Sequence, residues 1–258
     1  MKANYHTHTW RCMHAVGEEK EYVERAIEGG LQILGFSDHT PYPFPDNYVS
    51  GMRMRMDQLE DYVDTVLSLK AEYRNEIEIH LGLEVEYYPA YFPQLLDVIA
   101  DYPVEYFLLA QHHLGNEMND FYSGSETKNP EHLERYVNQV KEAMSTGCFT
   151  YLAHPDLIHF TGEKALYEDK MRELCRCAKA QDLPLEINFL GIGDGRHYPN
   201  EAFWKIAGEE HCKVIYGADA HKPETVFCPQ VRKKADQLVE KYGLLLTETV
   251  PLRNPKNN

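Results

Sequence analysis

The chain has 258 residues, with 41 acidic against 26 basic side chains, a formal charge of −15 and a hydrophobic share of 43%. That is enough apolar chain for a full core, whereas the acidic balance argues against duplex nucleic acid or an anionic membrane surface as the main partner, since both want a basic footprint. Six scattered cysteines with no Cys-x-x-Cys pair read as reduced thiols of a cytoplasmic protein rather than a disulfide framework.

Met1-Lys2-Ala3-Asn4 runs straight into an apolar strand at 3–6 with no leader pattern, and nowhere does an apolar run approach the ~18 residues of a membrane span. A helix at 19–28 follows, with Tyr22, Val23, Ala26 and Ile27 on one side and a stop at Gly29-Gly30. Next come a strand at 31–37, a proline-rich loop at 39–45 and a helix from about 57 carrying Leu59, Val63, Val66 and Tyr73. Strands at 77–85 and 104–111 flank a helix at 92–100. The clearest helix is 130–145: Asn129 caps it, Pro130 suits its first position, Leu133, Tyr136, Val137, Val140 and Met144 form its stripe, and Gly147 can end it.

Beyond it lie a strand at 149–153, a helix at 163–181, a strand at 183–189 and a glycine-rich loop at 189–196. A helix at 201–209, a strand at 213–218 and a helix at 226–242 closed by Gly243 complete the set, and the tail from 251 to 258 is expected to fray. Nearly continuous apolar strands suit parallel strands covered on both faces. Seven strand–helix repeats without a linker tract predict one α/β domain over 1–258, a closed barrel in preference to an open doubly wound sheet. The oligomeric state is left open.

The polar residues fall at the strand ends. His6 and His8 are i and i+2 at the first strand end, and strand alternation aims both imidazoles to one side; Asp219 and His221 repeat that spacing near the other end of the chain. Between them lie His14, Asp38-His39, Glu84 and Glu86, His112-His113, and His154. Barrel enzymes gather their sites at C-terminal strand ends. Imidazoles mixed with carboxylates suit zinc, iron or manganese, and this many candidate ligands predict two or three divalent ions, with a carboxylate such as Glu84 able to bridge two.

His6-x-His8, His14, Ser37-Asp38-His39, Gly82-Leu83-Glu84, Gln111-His112, His154-Pro155 and Asp219-Ala220-His221 together resemble the polymerase and histidinol phosphatase (PHP) superfamily over almost the whole chain. Gly35-Phe36-Ser37-Asp38-His39-Thr40-Pro41, Gly82-Leu83-Glu84-Val85-Glu86-Tyr87 and His154-Pro155-Asp156-Leu157-Ile158 look most like its stand-alone histidinol-phosphate phosphatases. The resemblance implies a distorted, TIM-like (β/α)7 barrel with a trinuclear metal centre. His6, His8, Glu84 and Asp219 would hold one ion, His14, His39 and His221 a second, and Glu84, His112 and His154 a third. His113, Glu86 and Asp38 would sit behind the ligands or pack.

The implied activity is hydrolysis of a small phosphate monoester, L-histidinol phosphate. Glu84, Asp219 and His221 would serve the chemistry, with Asp219, His221 or a metal-bound water as acid for the leaving alkoxide. Arg53, Arg196 and His197 are the candidates for holding the phosphate, and Tyr42-Pro43-Phe44 either walls an imidazole or packs. Two other readings are a PHP phosphoesterase acting on a nucleotide or nucleic-acid end, and a non-catalytic metal-binding module.

Overall fold

The computed structural model describes every residue except Asn47, Asn119 and Asn258. Its strands are β1 (Ala3–Asn4), β2 (Ile33–Phe36), β3 (Glu78–Val85), β4 (Tyr106–Leu109), β5 (Phe149–Leu152), β6 (Leu185–Asn188), β7 (Lys213–Gly217) and β8 (Leu245–Leu246). Its helices are α1 (Glu19–Glu28), α2 (Leu59–Glu72), α3 (Phe92–Ile99), α4 (Pro130–Ser145), α5 (Lys164–Ala180), α6 (Phe189–Asp194), α7 (Glu201–Glu209) and α8 (Pro229–Tyr242). The eight strands lie in chain order in one sheet, each parallel to its neighbour.

A doubly wound sheet reverses its strand order at a switch point; this one does not, which removes the competing architecture. The sheet curls until the ends of β1 and β7 meet. Thr7 bridges Ala220, the His8 N–H donates to the Ala220 carbonyl at 2.9 Å, and the Ala220 N–H donates to the His6 carbonyl at 3.2 Å.

Strand alternation divides the core in two. Leu34, Phe36, Leu81, Leu83, Phe107, Phe149, Ile187 and Val214 belong to the larger buried cluster with the helices. Tyr5, Tyr106, Leu108, Ala110, Tyr151, Ala153 and Ile215 form a smaller cluster inside the curl. The Tyr106 ring fills the space over Gly82, where a Cβ would lie 2.3 Å from it, and its hydroxyl donates to the Tyr5 carbonyl at 2.7 Å. Further along the same inner faces the residues turn polar: Glu84 on β3, Glu186 and Asn188 on β6, all buried.

Three local expectations are corrected. The stretch 189–196 is not a loop: the Asn188 side chain accepts from the Gly191 N–H and caps α6, and Gly195 ends it in the left-handed region at φ 64°. An eighth, two-residue strand pairs with β7 through Lys213↔Leu245 and Val214↔Leu246. The tail does not fray over its described residues. Val250 and Leu252 pack on the inner cluster, the Arg253 N–H donates to Thr150 Oγ1 at 3.1 Å, and Lys256 Nζ donates to the Ala100 carbonyl at 2.7 Å. Apolar side chains find cover at the end of the barrel away from the histidines, which the proline spacing alone did not reveal. Among the described residues no helix is long and apolar enough to cross a membrane.

Glu105, ahead of β4, ties this end together. Its carboxylate accepts from Lys70 Nζ at 2.8 Å, lies 3.1 Å from His80 Nδ1, and accepts from the Leu81 N–H at 2.8 Å. Burial opposes the charge, but these donors outweigh it and hold the carboxyl down at about 2. A depressed acid stabilises the fold above its unfolded value near 4.5 and loses that contribution as pH falls through about 2. Glu105→Gln is therefore expected to cost about 1–2 kcal/mol at pH 7, allowing for solvent screening. The gap in thermal midpoint between variant and parent should narrow steadily below pH 4.5.

Candidate metal centre

The opening strand is short for a reason. The Asn4 side chain accepts from the His6 N–H at 3.2 Å and the Ala218 N–H at 2.9 Å, and it donates to Thr7 Oγ1 at 2.8 Å. This side chain takes over backbone pairing where the ladder stops. His6 and His8 thus reach one side beyond the regular strand, with ring centroids 5.1 Å apart. At β7 the chain kinks into the left-handed region at Asp219 (φ 49°), and His154 after β5 does the same (φ 28°). Non-glycine residues pay for such backbone, which persists where the surroundings enforce it.

These turns aim the candidate ligands at two carboxylates. Glu84 Oε1 lies 3.1 Å from His6 Nε2, 3.0 Å from His154 Nε2 and 3.9 Å from His112 Nε2; its Oε2 lies 2.8 Å from His39 Nδ1 and 3.5 Å from His8 Nε2. Asp219 Oδ1 lies 3.1 Å from His8 Nε2, 3.6 Å from His6 Nε2 and 3.4 Å from His221 Nδ1. The His14 ring stacks on His221 at 4.7 Å and sits 5.3 Å from His39. The structure thus brings His6, His8, His14, His39, Glu84, His112, His154, Asp219 and His221 around one space.

Behind the imidazoles stands a second set of acceptors. His6 Nδ1 donates to Glu186 at 2.8 Å, His8 Nδ1 to Asp38 at 3.3 Å, and His112 Nδ1 to Glu86 at 2.8 Å. His14 Nδ1 donates to the Cys12 carbonyl at 2.7 Å and His221 Nδ1 to the Asp219 carbonyl at 3.0 Å. This is how proteins fix the tautomer of a ligating histidine, leaving the other nitrogen bare. Glu186 also accepts from the His154 N–H at 3.1 Å and from Asn188 Nδ2 at 2.9 Å. Gly217 makes room for it, since a Cβ there would lie 1.7 Å from Glu186 Oε1.

The residues fit divalent cations. His6 Nε2, His8 Nε2, His39 Nδ1, His221 Nε2 and Glu84 Oε2 are buried and, close as some of them lie to one another, none is aligned for a hydrogen bond, a state that native proteins rarely tolerate unless something else binds there. Donor atoms of His14, His39 and His221 lie within 4.8 Å of one another, as do those of His6, Glu84 and His154, and those of His6, His8 and Asp219. Asp38, Glu84, Glu86, Glu186 and Asp219 are all buried, and the buried guanidinium beside them, Arg53, is shared with Glu117. Burial disfavours the charge on Glu84, yet His39, His6 and His112 hold its carboxyl well below the usual range. Burial opposes Asp219 likewise, and His6 and His8 keep it ionised. Burial pushes the His39 imidazole down to about 4 against the pull of Glu84.

A cavity of about 720 Å³ opens over this cluster, walled by Met52, Tyr122, Arg196, Tyr198 and Lys222. Arg196 keeps its place there: Nη1 donates to the Tyr198 hydroxyl at 3.0 Å and Nη2 to Asp194 at 3.1 Å. Two expected phosphate contacts lie elsewhere. Arg53 is 1% exposed and spends its guanidinium on Glu86, Glu117 and the Thr40 carbonyl, because a buried guanidinium is retained only when paired. His197 donates from Nε2 to the Leu157 carbonyl at 2.8 Å and stacks on His159 at 4.1 Å. His113 reaches the cavity wall beside Tyr122, while Tyr42 and Phe44 pack on Tyr88 instead of lining it. Sequence reading missed Glu186, whose signal was an acid between Leu185 and Ile187 inside a predicted strand.

The PHP domain model matches residues 4–189. The chain is 29% identical over 229 residues to a probable histidinol-phosphatase of Deinococcus radiodurans, covering 86% of each chain. It is 26% identical to a probable histidinol-phosphatase of Schizosaccharomyces pombe, covering 88% of this chain and 82% of that one. The solved histidinol phosphate phosphatase of Lactococcus lactis, complexed with zinc, L-histidinol and phosphate, has the same fold at a TM-score of 0.76, with 19% identity and 98% of each chain covered. With the matched region spanning most of the strands and the histidine-bearing turns between them, the chain belongs to the PHP domain family.

Proposed function

We propose that this chain is a metal-dependent phosphatase that hydrolyses L-histidinol phosphate to L-histidinol and phosphate. The observation that carries the reading is the meeting of imidazoles from distant parts of the chain around Glu84 and Asp219, under a cavity with the half-exposed Arg196 on its wall. The names of the Deinococcus and Schizosaccharomyces relatives support the substrate, as do the zinc, histidinol and phosphate held by the Lactococcus structure. We assign two or three ions, zinc, iron or manganese, to the sets His6/His8/Glu84/Asp219, His14/His39/His221 and Glu84/His112/His154, with Glu84 shared. When bound, such ions supply a water that ionises near neutral pH and positive charge for the phosphoryl oxygens.

The chain's own groups do the rest. Arg196 offers its guanidinium to the phosphoryl oxygens, its planar fork matching two of them. Glu186, Asp38 and Glu86 accept from Nδ1 of His6, His8 and His112, which fixes the direction of each ring and leaves Nε2 as the nitrogen free to ligate. Asp219 Oδ1, ionised and within 3.6 Å of three imidazoles, His221 Nδ1 among them at 3.4 Å, is the atom to take the proton that the attacking water gives up and pass it to the departing alkoxide. Cytoplasmic chemistry on a small ester, away from nucleic acid and membrane, accords with the charge of −15.

The test is phosphate release from histidinol phosphate, a nucleotide and a sugar phosphate, using protein of measured metal content. Histidinol phosphate is expected to lead the panel, and chelation to bring its turnover to background with recovery on adding the metal back. Faster release from the nucleotide would replace the substrate; turnover untouched by complete metal removal would end the reading. Acidification below about pH 6 is expected to release the metal, because ligating histidines must be neutral.

A further inference from the structure

The loop that carries Arg53 comes from between β2 and α2, yet its guanidinium reaches three different strand ends. Nη1 and Nη2 each donate to Glu86, just after β3, at 2.9 Å, a two-point fork on one carboxylate. Nη1 also donates to the carbonyl of Thr40, the residue after His39, at 3.0 Å. Nε donates to Glu117, in the segment after β4, at 2.7 Å. The Tyr42 ring lies 5.6 Å from the guanidinium carbon, and the Tyr42 hydroxyl donates to the Glu86 carbonyl. Glu86 is therefore held from both ends, and its free task is to accept from His112 Nδ1 at 2.8 Å.

We infer that Arg53 is a positioning residue that sets the direction of the His112 imidazole through Glu86. It touches neither substrate nor metal. A carboxylate behind a ligating histidine tunes and orients it only if that carboxylate is itself fixed, and a bidentate guanidinium is the side chain that fixes both oxygens at once. Thr40 and Glu117 anchor Arg53 in turn, so the fork has one orientation. The inference rests on the proposed metal centre, but its readout does not need the substrate.

The experiment measures zinc retained by the full-length protein in competition with a chelator, alongside kcat and KM for phosphate release. Arg53→Met is expected to weaken retention of the zinc held through His112 by about 10–100-fold, as losses behind a ligand do, and to lower kcat with KM changed little. Arg53→Lys, a point charge without the fork, should fall between the parent and Arg53→Met, and Glu86→Gln should repeat the Met variant. Glu117→Gln keeps an amide oxygen to accept from Arg53 Nε and leaves both Glu86 contacts in place, so it is expected to lose clearly less zinc than Arg53→Met.

Should Arg53→Met not fold, the Lys and Gln variants carry the same comparison. Unchanged zinc retention with a raised KM would make Arg53 a substrate contact and overturn the inference. Equal zinc loss in Glu117→Gln and Arg53→Met would overturn it too, since Arg53 would then be only a clamp between loops. If no phosphate ester is turned over by the parent while the zinc pattern holds, the proposed function fails and the role of Arg53 stands.

Discussion

Glu84→Gln is expected to lose both metal and turnover. The carboxylate is 1% exposed, and five imidazoles approach it: His6, His154 and His112 at one oxygen, His39 and His8 at the other. A glutamine of the same shape keeps one acceptor, turns an N–H2 toward nitrogens that need a cation, and removes the negative charge that two ions would share. The loss should be at least one ion per chain and, for a bridging ligand, on the order of 10³ in kcat. Elemental analysis of the purified variant, paired with phosphate-release kinetics at saturating metal, checks it. Full metal content in Glu84→Gln would remove the bridge; normal turnover with reduced metal would mean that the shared ion is not needed for chemistry.

Arg196→Ala is expected to leave the metal in place and to lower kcat/KM about 10²–10³-fold, the cost of one well-placed donor to developing charge. The side chain is 39% exposed and its partner Asp194 54%, so folding should not suffer and the Asp194 pair should yield readily to a phosphate dianion. Arg196→Lys should recover only part of the loss, because an ammonium cannot meet two oxygens in one plane. Inorganic phosphate as a competitive inhibitor gives an independent reading: its inhibition constant should rise in Arg196→Ala by a similar factor. An unchanged inhibition constant would remove Arg196 from phosphate recognition.

The two arginines also mark the limit of what the letters could convey. The strand–helix alternation and the histidines at strand ends were legible because both depend on short-range periodicity: helix 19–28 and helix 130–145 match α1 and α4 residue for residue. Arg53 and Arg196 look equivalent in sequence, each in a loop after a strand. Only tertiary contacts separate them, since Arg53 meets Glu86 and Glu117 across the fold whereas Arg196 meets its near neighbours Asp194 and Tyr198. Helix α6 was hidden because two glycines within Phe189–Asp194 read as loop, and a cap by Asn188 outweighed their low propensity. β8 has only two residues, Leu245 and Leu246, too few for a strand period to show.

The bridge between Thr7 and Ala220 has a bearing on how the protein is made. During synthesis the first histidines leave the ribosome long before Asp219 and His221 exist, so no nascent fragment can present the finished cluster. On the proposed metal centre, loading is thereby tied to synthesis past Asp219 and His221, and an ion captured earlier by His6 and His8 alone would sit in a site still missing its late carboxylate.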